Sequence, residues 1–136
     1  MHKLQLIQNA AARLLTGFGR RDHITPSLRA LHWLPVKERV LFKTGCMVHR
    51  ATHGKGPVYL QEKFTKYVPN RTLRSANSET LVIPKFRKKK CGGRTSAVQG
   101  AQFWNSLPLK LRLENDLFKF RKLLKTELFS LAYGIK

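Results

Sequence analysis

The feature that most constrains the fold is a long helix that begins just after a Trp-Leu pair. Pro35 suits the first turn of a helix, where its missing N–H would be unpaired anyway. Gly54 stands where a left-handed C-cap is favoured. We therefore predict a helix over residues 35–53, with Trp33 and Leu34 as the anchor for neighbouring elements. Its apolar stripe, at helical spacing, consists of Val40, Leu41, Met47, Val48 and Ala51.

The first residues predict another helix, over 4–15, which Gly17 and Gly19 would end. Because it begins so close to Met1 with no cap, it resembles the interior of a longer chain. The alanines at positions 10–12 favour helix. Its apolar face consists of Leu4, Ile7, Ala11, Leu14 and Leu15.

Further helices are predicted from turn residues and apolar spacing. Short helices are expected over residues 26–31 and 57–64, and a longer one over 96–104. The last helix is capped by Asn115 or Asp116 and ends at Gly134. Its apolar stripe consists of Leu117, Phe120, Leu123, Leu124, Leu128 and Leu131.

The middle of the chain, residues 66–95, is basic and partly extended in character. It contains nine Lys and Arg against one acid. Residues 81–83 are a short β-like run stopped by Pro84, and a hairpin or extended pair is predicted across residues 78–95. The expected fold class is thus mainly α (α+β), a small helical domain with a short β-hairpin-like element near the middle. The whole of residues 1–136 is predicted to be a single domain.

The charge of the chain points to an anionic partner. It has 27 Lys and Arg against 7 Asp and Glu, a formal net charge of +20. Such a surplus repels itself in the folded state unless an anion neutralises it. Nucleic acid is the expected partner and an anionic membrane a distant second. The alternative is a basic surface that is merely solvated.

A run of cations from Lys85 to Arg94 is the sharpest local signal for phosphate contact. Gly92 and Gly93 would let backbone N–H groups approach an anion. The run can also serve as a nuclear localisation patch, and the alternative to both is a solvated loop. The residues expected to contact nucleic acid are Arg20, Arg21, Arg71, Arg74, Lys85, Arg87, Lys88, Lys89, Lys90 and Arg94.

Catalysis, metal and cofactor binding are not predicted. The acids are scattered, whereas two-metal chemistry needs clustered carboxylates. Cys46, His49 and His53 share a helical spacing that zinc could use, with Cys91 as a fourth ligand, but paired ligands on two elements are missing. We expect Cys46 to be a small buried residue and the two histidines to lie on the helix surface. Trp104 could be a base-stacking platform, but core packing is favoured.

The compartment follows from the remaining patterns. Two cysteines make no disulfide framework, no secretory signal is visible, and no apolar run approaches the roughly 20 residues of a membrane span. An intracellular, reducing setting is expected, with nuclear import open and no membrane partner.

Five stretches, taken in order, resemble one known family. They are Leu-Gln-Leu-Ile-Gln-Asn-Ala-Ala-Ala-Arg at 4–13, Asp-His-Ile-Thr-Pro at 22–26, Leu-His-Trp-Leu-Pro-Val at 31–36, Arg-Thr-Leu-Arg-Ser at 71–75 and Phe-Trp-Asn-Ser-Leu-Pro at 103–108. Together they resemble the C-terminal, post-thumb region of LINE-type non-LTR retrotransposon reverse transcriptases.

That resemblance implies part of an enzyme without its active site. The family's paired aspartates lie upstream of this region and do not occur here, and neither does an endonuclease. It also implies a role in holding RNA or DNA, and the rest of a reverse transcriptase as a partner. The expected function is therefore a nucleic-acid-binding remnant that contacts phosphates. The alternative is a structural or interaction fragment with no independent activity.

Overall fold

The structure is a computed structural model that describes residues 2–69, 79–87 and 92–134. The predicted, mainly α-helical class is confirmed. The helices of this part of the chain are α1 (His2–Thr16), α2 (Ile24–Ala30), α3 (Val36–Thr52), α4 (Val58–Gln61), α5 (Ser96–Ser106), α6 (Leu109–Arg112) and α7 (Leu117–Tyr133), with a 3₁₀ helix at Gly92–Arg94.

The chain divides into two compact units. Unit 1 contains Met1–Phe42 and Lys125–Lys136, and unit 2 contains Lys43–Leu124. Helices α3 and α7 each contribute residues to both. The prediction of a single domain stays a prediction. If the chain is one cooperative domain, we expect it to unfold in a single thermal transition.

The predicted hairpin is wrong for the described residues of the segment, 79–87 and 92–95. Leu81 instead forms an isolated antiparallel bridge with Lys66. The Tyr67 amide donates to the Thr80 carbonyl at 2.8 Å, and the Val82 amide to the Thr65 carbonyl at 2.9 Å. The short β-like run thus pairs with Lys66, which precedes the predicted hairpin, and not with a second strand inside that hairpin.

The core of unit 2 is built where α3, α5 and α7 meet. Val48 is fully buried, as the helical spacing predicted, and so are Phe120 and Leu124. Trp104 is only 2% exposed, which confirms the prediction of core packing. Gly100 permits close contact with a ring, because a Cβ there would lie 2.8 Å from Phe64 Cε1. A volume-adding change at Gly100 would therefore overpack this site.

Helix α3 begins and ends as predicted. Pro35 precedes its first residue, and its carbonyl accepts from the Arg39 amide at 3.0 Å. Gly54 follows with a left-handed φ of +66°, as a C-cap glycine does. The predicted stripe is correct at Val48 and Ala51, but Val40 is 48% exposed.

The apolar face of α1 is exposed, and a different face of this helix packs within unit 1. Leu4, Ile7, Leu14 and Leu15 are 58%, 67%, 86% and 65% exposed. Gln8 and Ala12 are buried instead. On the packed face, the Gln8 side chain donates to the Leu34 carbonyl at 2.8 Å in a buried position. A buried backbone carbonyl that loses its partner costs about 1–3 kcal/mol, which favours the polar face inside.

Candidate nucleic-acid interface

The segment that leads into the basic run is held by two neighbouring side chains of α5. The Asn105 side-chain amide accepts from the Leu81 amide at 2.8 Å and donates to the Leu81 carbonyl at 2.9 Å. The Trp104 indole N–H donates to the Glu79 carbonyl at 2.8 Å. Because residues 80 and 82 bond to residues 65–67 on the other edge, this stretch is fixed from both sides. Trp104 and Asn105 therefore hold the backbone at residues 79–81, just before the run of cations that begins at Lys85.

We predict that Asn105→Ala destabilises the protein by about 1–3 kcal/mol. Leu81 is 3% exposed, so its amide and carbonyl would both lose their partner in a buried position. Urea unfolding of the purified chain measures the change. Ser106→Ala, at the exposed neighbour, is the matched control and should stay within about 0.5 kcal/mol. Equal effects of the two changes would contradict this role for Asn105.

Phe86 and Gly92, which lie on either side of residues 87–91, are in contact. A Cβ on Gly92 would lie 2.6 Å from Phe86 Cβ, and one on Gly93 would lie 3.4 Å from Phe86 Cε2. Thr95 closes the same turn, since its hydroxyl donates to the Gly92 carbonyl at 2.9 Å. The two glycines therefore serve close packing of the Phe86 ring. Their predicted use as anion-binding N–H donors stays a prediction.

Two of the predicted phosphate-contacting residues, Lys85 and Arg87, are exposed in unit 2. They lie three and five residues after the anchored stretch 79–82. The backbone of Arg94 ends the 3₁₀ helix. The remaining predicted residues of this unit lie outside the described residues: Arg71, Arg74, Lys88, Lys89 and Lys90.

Arg20 and Arg21 lie in unit 1, exposed on a loop that hydrogen bonds hold in shape. The Arg13 guanidinium donates to the Gly19 carbonyl at 3.2 Å and to the Asp22 carbonyl at 3.1 Å. The Asp22 carboxylate accepts from the Gly19 amide at 2.7 Å. This loop therefore presents two cations side by side, whereas its own acid and Arg13 are used internally.

A surface groove in unit 1 is a feature that sequence patterns did not predict. Its volume is about 570 Å³, and it is lined by Thr25, Pro26, Arg29, Ala30, His32 and Phe129. The His32 ring stacks on Phe129, with ring centroids 5.7 Å apart and planes 15° from parallel. Proteins that hold single-stranded nucleic acid combine cations with aromatic side chains on which bases stack, whereas here the two rings stack on each other.

His32 stands in a backbone conformation that usually selects glycine. Its φ is +53°, and it closes α2 with the Trp33 amide donating to the Leu28 carbonyl at 2.9 Å. This is the left-handed position of a Schellman cap, where a side chain costs about 1–2 kcal/mol. No local pattern predicts it, because the Leu-His-Trp-Leu-Pro sequence lacks the usual glycine. The strain is consistent with a role for the ring at the groove.

The Cys46, His49 and His53 set is not arranged as a metal site. Within residues 2–69, 79–87 and 92–134, no three His, Cys, Asp or Glu side chains are grouped so that they could hold a metal ion. Cys91 lies outside the described residues. The prediction that His49 lies on the helix surface is wrong, because its side chain is fully buried. Cys46 is half-buried, and burial raises the pKa of its thiol.

His49 is part of an aromatic stack in the core of unit 2. Its ring lies 4.1 Å from that of His53 and 4.3 Å from that of Phe120. Its Nε2–H donates to the Glu114 carbonyl at 2.8 Å, and Nδ1 has no hydrogen-bond partner among the described residues. Burial lowers the pKa of His49, an effect that the Glu114 carbonyl opposes and that His53 and Lys55 reinforce. The core thus holds this histidine neutral.

We predict that His49 makes the protein less stable in mild acid. Its pKa is lower in the folded chain than the 6.5 of an unfolded one, so the unfolded state binds more protons as pH falls. The stabilisation is complete above that unfolded value and is lost as pH falls through it towards the folded pKa. Urea unfolding at about pH 7.5 and pH 5 measures the loss. His49→Gln should reduce the difference between the two pH values, and an unchanged difference would contradict the prediction.

Comparisons with known proteins add no relative. No family model, curated protein or solved structure matches this chain. In the part of the chain that the structure describes, no helix is both long enough and apolar enough to cross a membrane. The assignment of function therefore depends on the residues and geometry of this chain itself.

Proposed function

We propose that this protein binds RNA or DNA through the phosphate backbone. The proposed origin is a retrotransposon reverse transcriptase whose polymerase active site it lacks, because five stretches of its sequence resemble the C-terminal region of that family. Under this proposal the chain has no catalytic role of its own and needs no cofactor. Its partners are nucleic acid and the rest of a reverse transcriptase.

The observation that carries the proposal is the distribution of charge. Unit 2 contains 18 of the 27 Lys and Arg residues but only four of the seven Asp and Glu residues. One of those acids, Glu79, is paired with Lys66 at 2.7 Å. A partner that supplies closely spaced negative charges would relieve the repulsion, and nucleic acid carries one phosphate per nucleotide.

The geometry supports the run of cations from Lys85 to Arg94 as the main contact with nucleic acid. The backbone just before this run is held by Asn105 and Trp104, and Phe86 contacts Gly92 on the other side of residues 87–91. A cation on fixed backbone loses less conformational entropy on binding than one on a free chain. In unit 1, the Arg20–Arg21 loop and the groove beside Arg29 supply separate cations.

The proposal is tested by fluorescence anisotropy of the whole chain with labelled RNA and DNA oligomers of unrelated sequence. We expect log K to fall linearly with log salt concentration between roughly 50 and 200 mM, because bound cations release counterions from the phosphates. Affinity should be similar on unrelated sequences, since phosphate contacts carry little sequence information. Polyglutamate is the control polyanion. Salt-independent binding, or binding that polyglutamate competes away as well as RNA does, would contradict the proposal.

A second candidate function, an interaction fragment without nucleic-acid affinity, is favoured by one observation. This is the apolar face that α1 turns to solvent. Nucleic acid cannot satisfy a row of Leu and Ile side chains, so that face requires a separate explanation.

A further inference from the structure

Helix α1 is an amphipathic helix whose apolar face is exposed to solvent, whereas Gln8 and Ala12 are buried. Its apolar residues face solvent, and the largest exposures along it are those of Ile7, Leu14 and Leu15, at 67%, 86% and 65%. An apolar row of this length is unusual on a monomeric surface and marks an interaction site. Phosphate binding makes no use of such a row, so an interaction there goes beyond the proposed function.

Specific hydrogen bonds hold the inward face of α1 in place. The Gln8 amide reaches the Leu34 carbonyl, and the Gln5 side-chain oxygen accepts from the Val36 amide at 2.9 Å. Val36 is the first residue of α3, so Gln5 satisfies one of the unpaired donors at the start of that helix. Ala12, fully buried, allows the helix to approach closely. Turning the apolar row inward would break both bonds.

The spacing of the exposed row matches the seam of a two-helix coiled coil. Its members are Leu4, Ile7, Ala11 and Leu14, at intervals of three, four and three residues along the helix. Such a row accepts the apolar side chains of another helix as knobs into holes. A helix of 15 residues is about 22 Å long, so the partner would contribute about four turns.

Charges at the two ends of the row define the partner further. Lys3 borders one end, and Arg20 and Arg21 follow the other. The first acid of the chain, Asp22, already accepts from the Gly19 amide. A second copy of the protein would bring like charges together at both ends, since each copy carries +20. Carboxylates at the ends of a partner helix would be attracted there.

An anionic membrane fits this surface less well. Interfacial helices have a polar face rich in Lys and Arg that faces the headgroups. The polar face of α1 is packed on unit 1, and Arg13 on this helix is engaged with the Gly19 and Asp22 carbonyls. We propose that the exposed row of α1 is the docking surface for an amphipathic helix of a partner protein, with an apolar stripe and acidic residues at its ends.

The test uses a designed helical peptide of four turns with Leu at the stripe positions and Glu at both ends. Its binding to the whole protein is measured by calorimetry. A second peptide has Lys in place of each Glu. We expect the acidic peptide to bind at least about tenfold more tightly than the basic one. Equal binding of the two peptides, or none, would overturn the proposal.

A double variant, Ile7→Gln with Leu14→Gln, tests the surface itself. It should weaken binding of the acidic peptide by about tenfold or more, because two central apolar contacts are lost. The matched control is Phe118→Gln with Leu131→Gln on α7, where the side chains are 78% and 71% exposed; it should leave the affinity unchanged. Circular dichroism confirms that each variant stays helical, as Gln favours helix. Equal losses in both variants would place the site elsewhere.

Two further measurements separate the other occupants and the proposed function. A dimer of the wild-type chain in sedimentation that Ile7→Gln with Leu14→Gln abolishes would assign the row to a second copy and overturn the proposal. Binding to phosphatidylserine vesicles that the same variant abolishes would assign it to a membrane, with the same consequence. Oligonucleotide affinity should be unchanged in that variant, so failure of either function is recognised independently.

Discussion

Leu124→Ala should destabilise the protein by about 2–5 kcal/mol. Leu124 is fully buried on α7, and its Cδ2 lies only 2.7 Å from where a Cβ on Gly45 would stand. Removing Cγ and its two methyl groups leaves a cavity between α3, α5 and α7 that closely packed neighbours cannot close. Urea unfolding gives the value. Leu131→Ala, at an exposed leucine of the same helix, is the matched control and should stay within about 0.5 kcal/mol.

A double-mutant cycle with Gly45 makes this prediction sharper. Gly45→Ala alone places a methyl group against Leu124 and 3.0 Å from Phe103 Cε1, so overpacking offsets the roughly 1 kcal/mol gain in helix propensity. With Leu124→Ala present, the same methyl group enters the cavity. We expect the pair to be at least about 1 kcal/mol more stable than the sum of the two single changes. Additive effects would mean that the two helices do not meet at this contact.

Apolar periodicity predicted core residues of unit 2 but does not tell which face of α1 is packed. Val48, Phe120 and Leu124 are buried as their helical spacing predicted, whereas Val40 and Leu131, which belong to the same two stripes, are exposed. On α1 the same kind of pattern identifies an apolar face, and that face is exposed. Periodicity tells which residues share a face, whereas the partner of that face depends on bonds such as Gln8 to Leu34 that no spacing reveals.

The middle of the chain shows why local β propensity was an incomplete guide. Residues 81–83 look like half of a hairpin, and the expected second half follows them in the sequence. In the structure, the Leu81 backbone is hydrogen-bonded to the Asn105 side chain on one edge and forms a β-bridge with Lys66 on the other. A side chain 24 residues away is a tertiary effect, and no window of neighbouring residues contains it.

The candidate interface was partly visible in the sequence. Arg20, Arg21, Lys85 and Arg87 were predicted from charge alone, and each is exposed. The groove beside Arg29 was missed because it joins α2 to a residue about 100 positions later in the chain, Phe129. His49 was misplaced for a similar reason, since its stacking partner Phe120 belongs to α7.

The largest predicted effect on binding comes from the cationic run. Replacing Arg87, Lys88, Lys89 and Lys90 with Ala should lower the affinity for RNA and DNA on every sequence alike. The slope of log K against log salt should become shallower by up to about four units, if each side chain neutralises one phosphate. Arg87, the first of the four replaced residues, follows a stretch of chain that the Asn105 side chain holds in place at Leu81.

A matched variant separates local contact from general loss of charge. Lys110, Lys119, Arg121 and Lys125 are exposed. Like the replaced residues 87–90, this set consists of three lysines and one arginine. Replacing these four with Ala lowers the net charge by the same amount. If only the total charge of the protein mattered, both variants would change the slope equally.

The most direct test of phosphate binding is therefore the salt dependence of anisotropy for three proteins: the wild type, the Arg87-to-Lys90 variant and the matched variant. Each is titrated with the same unrelated RNA and DNA oligomers at several salt concentrations. We predict that the wild type has a steep slope, that the first variant loses up to about four units of it, and that the matched variant stays close to the wild type. An unchanged slope in the first variant would contradict the account, because the run would then contact solvent instead of phosphates.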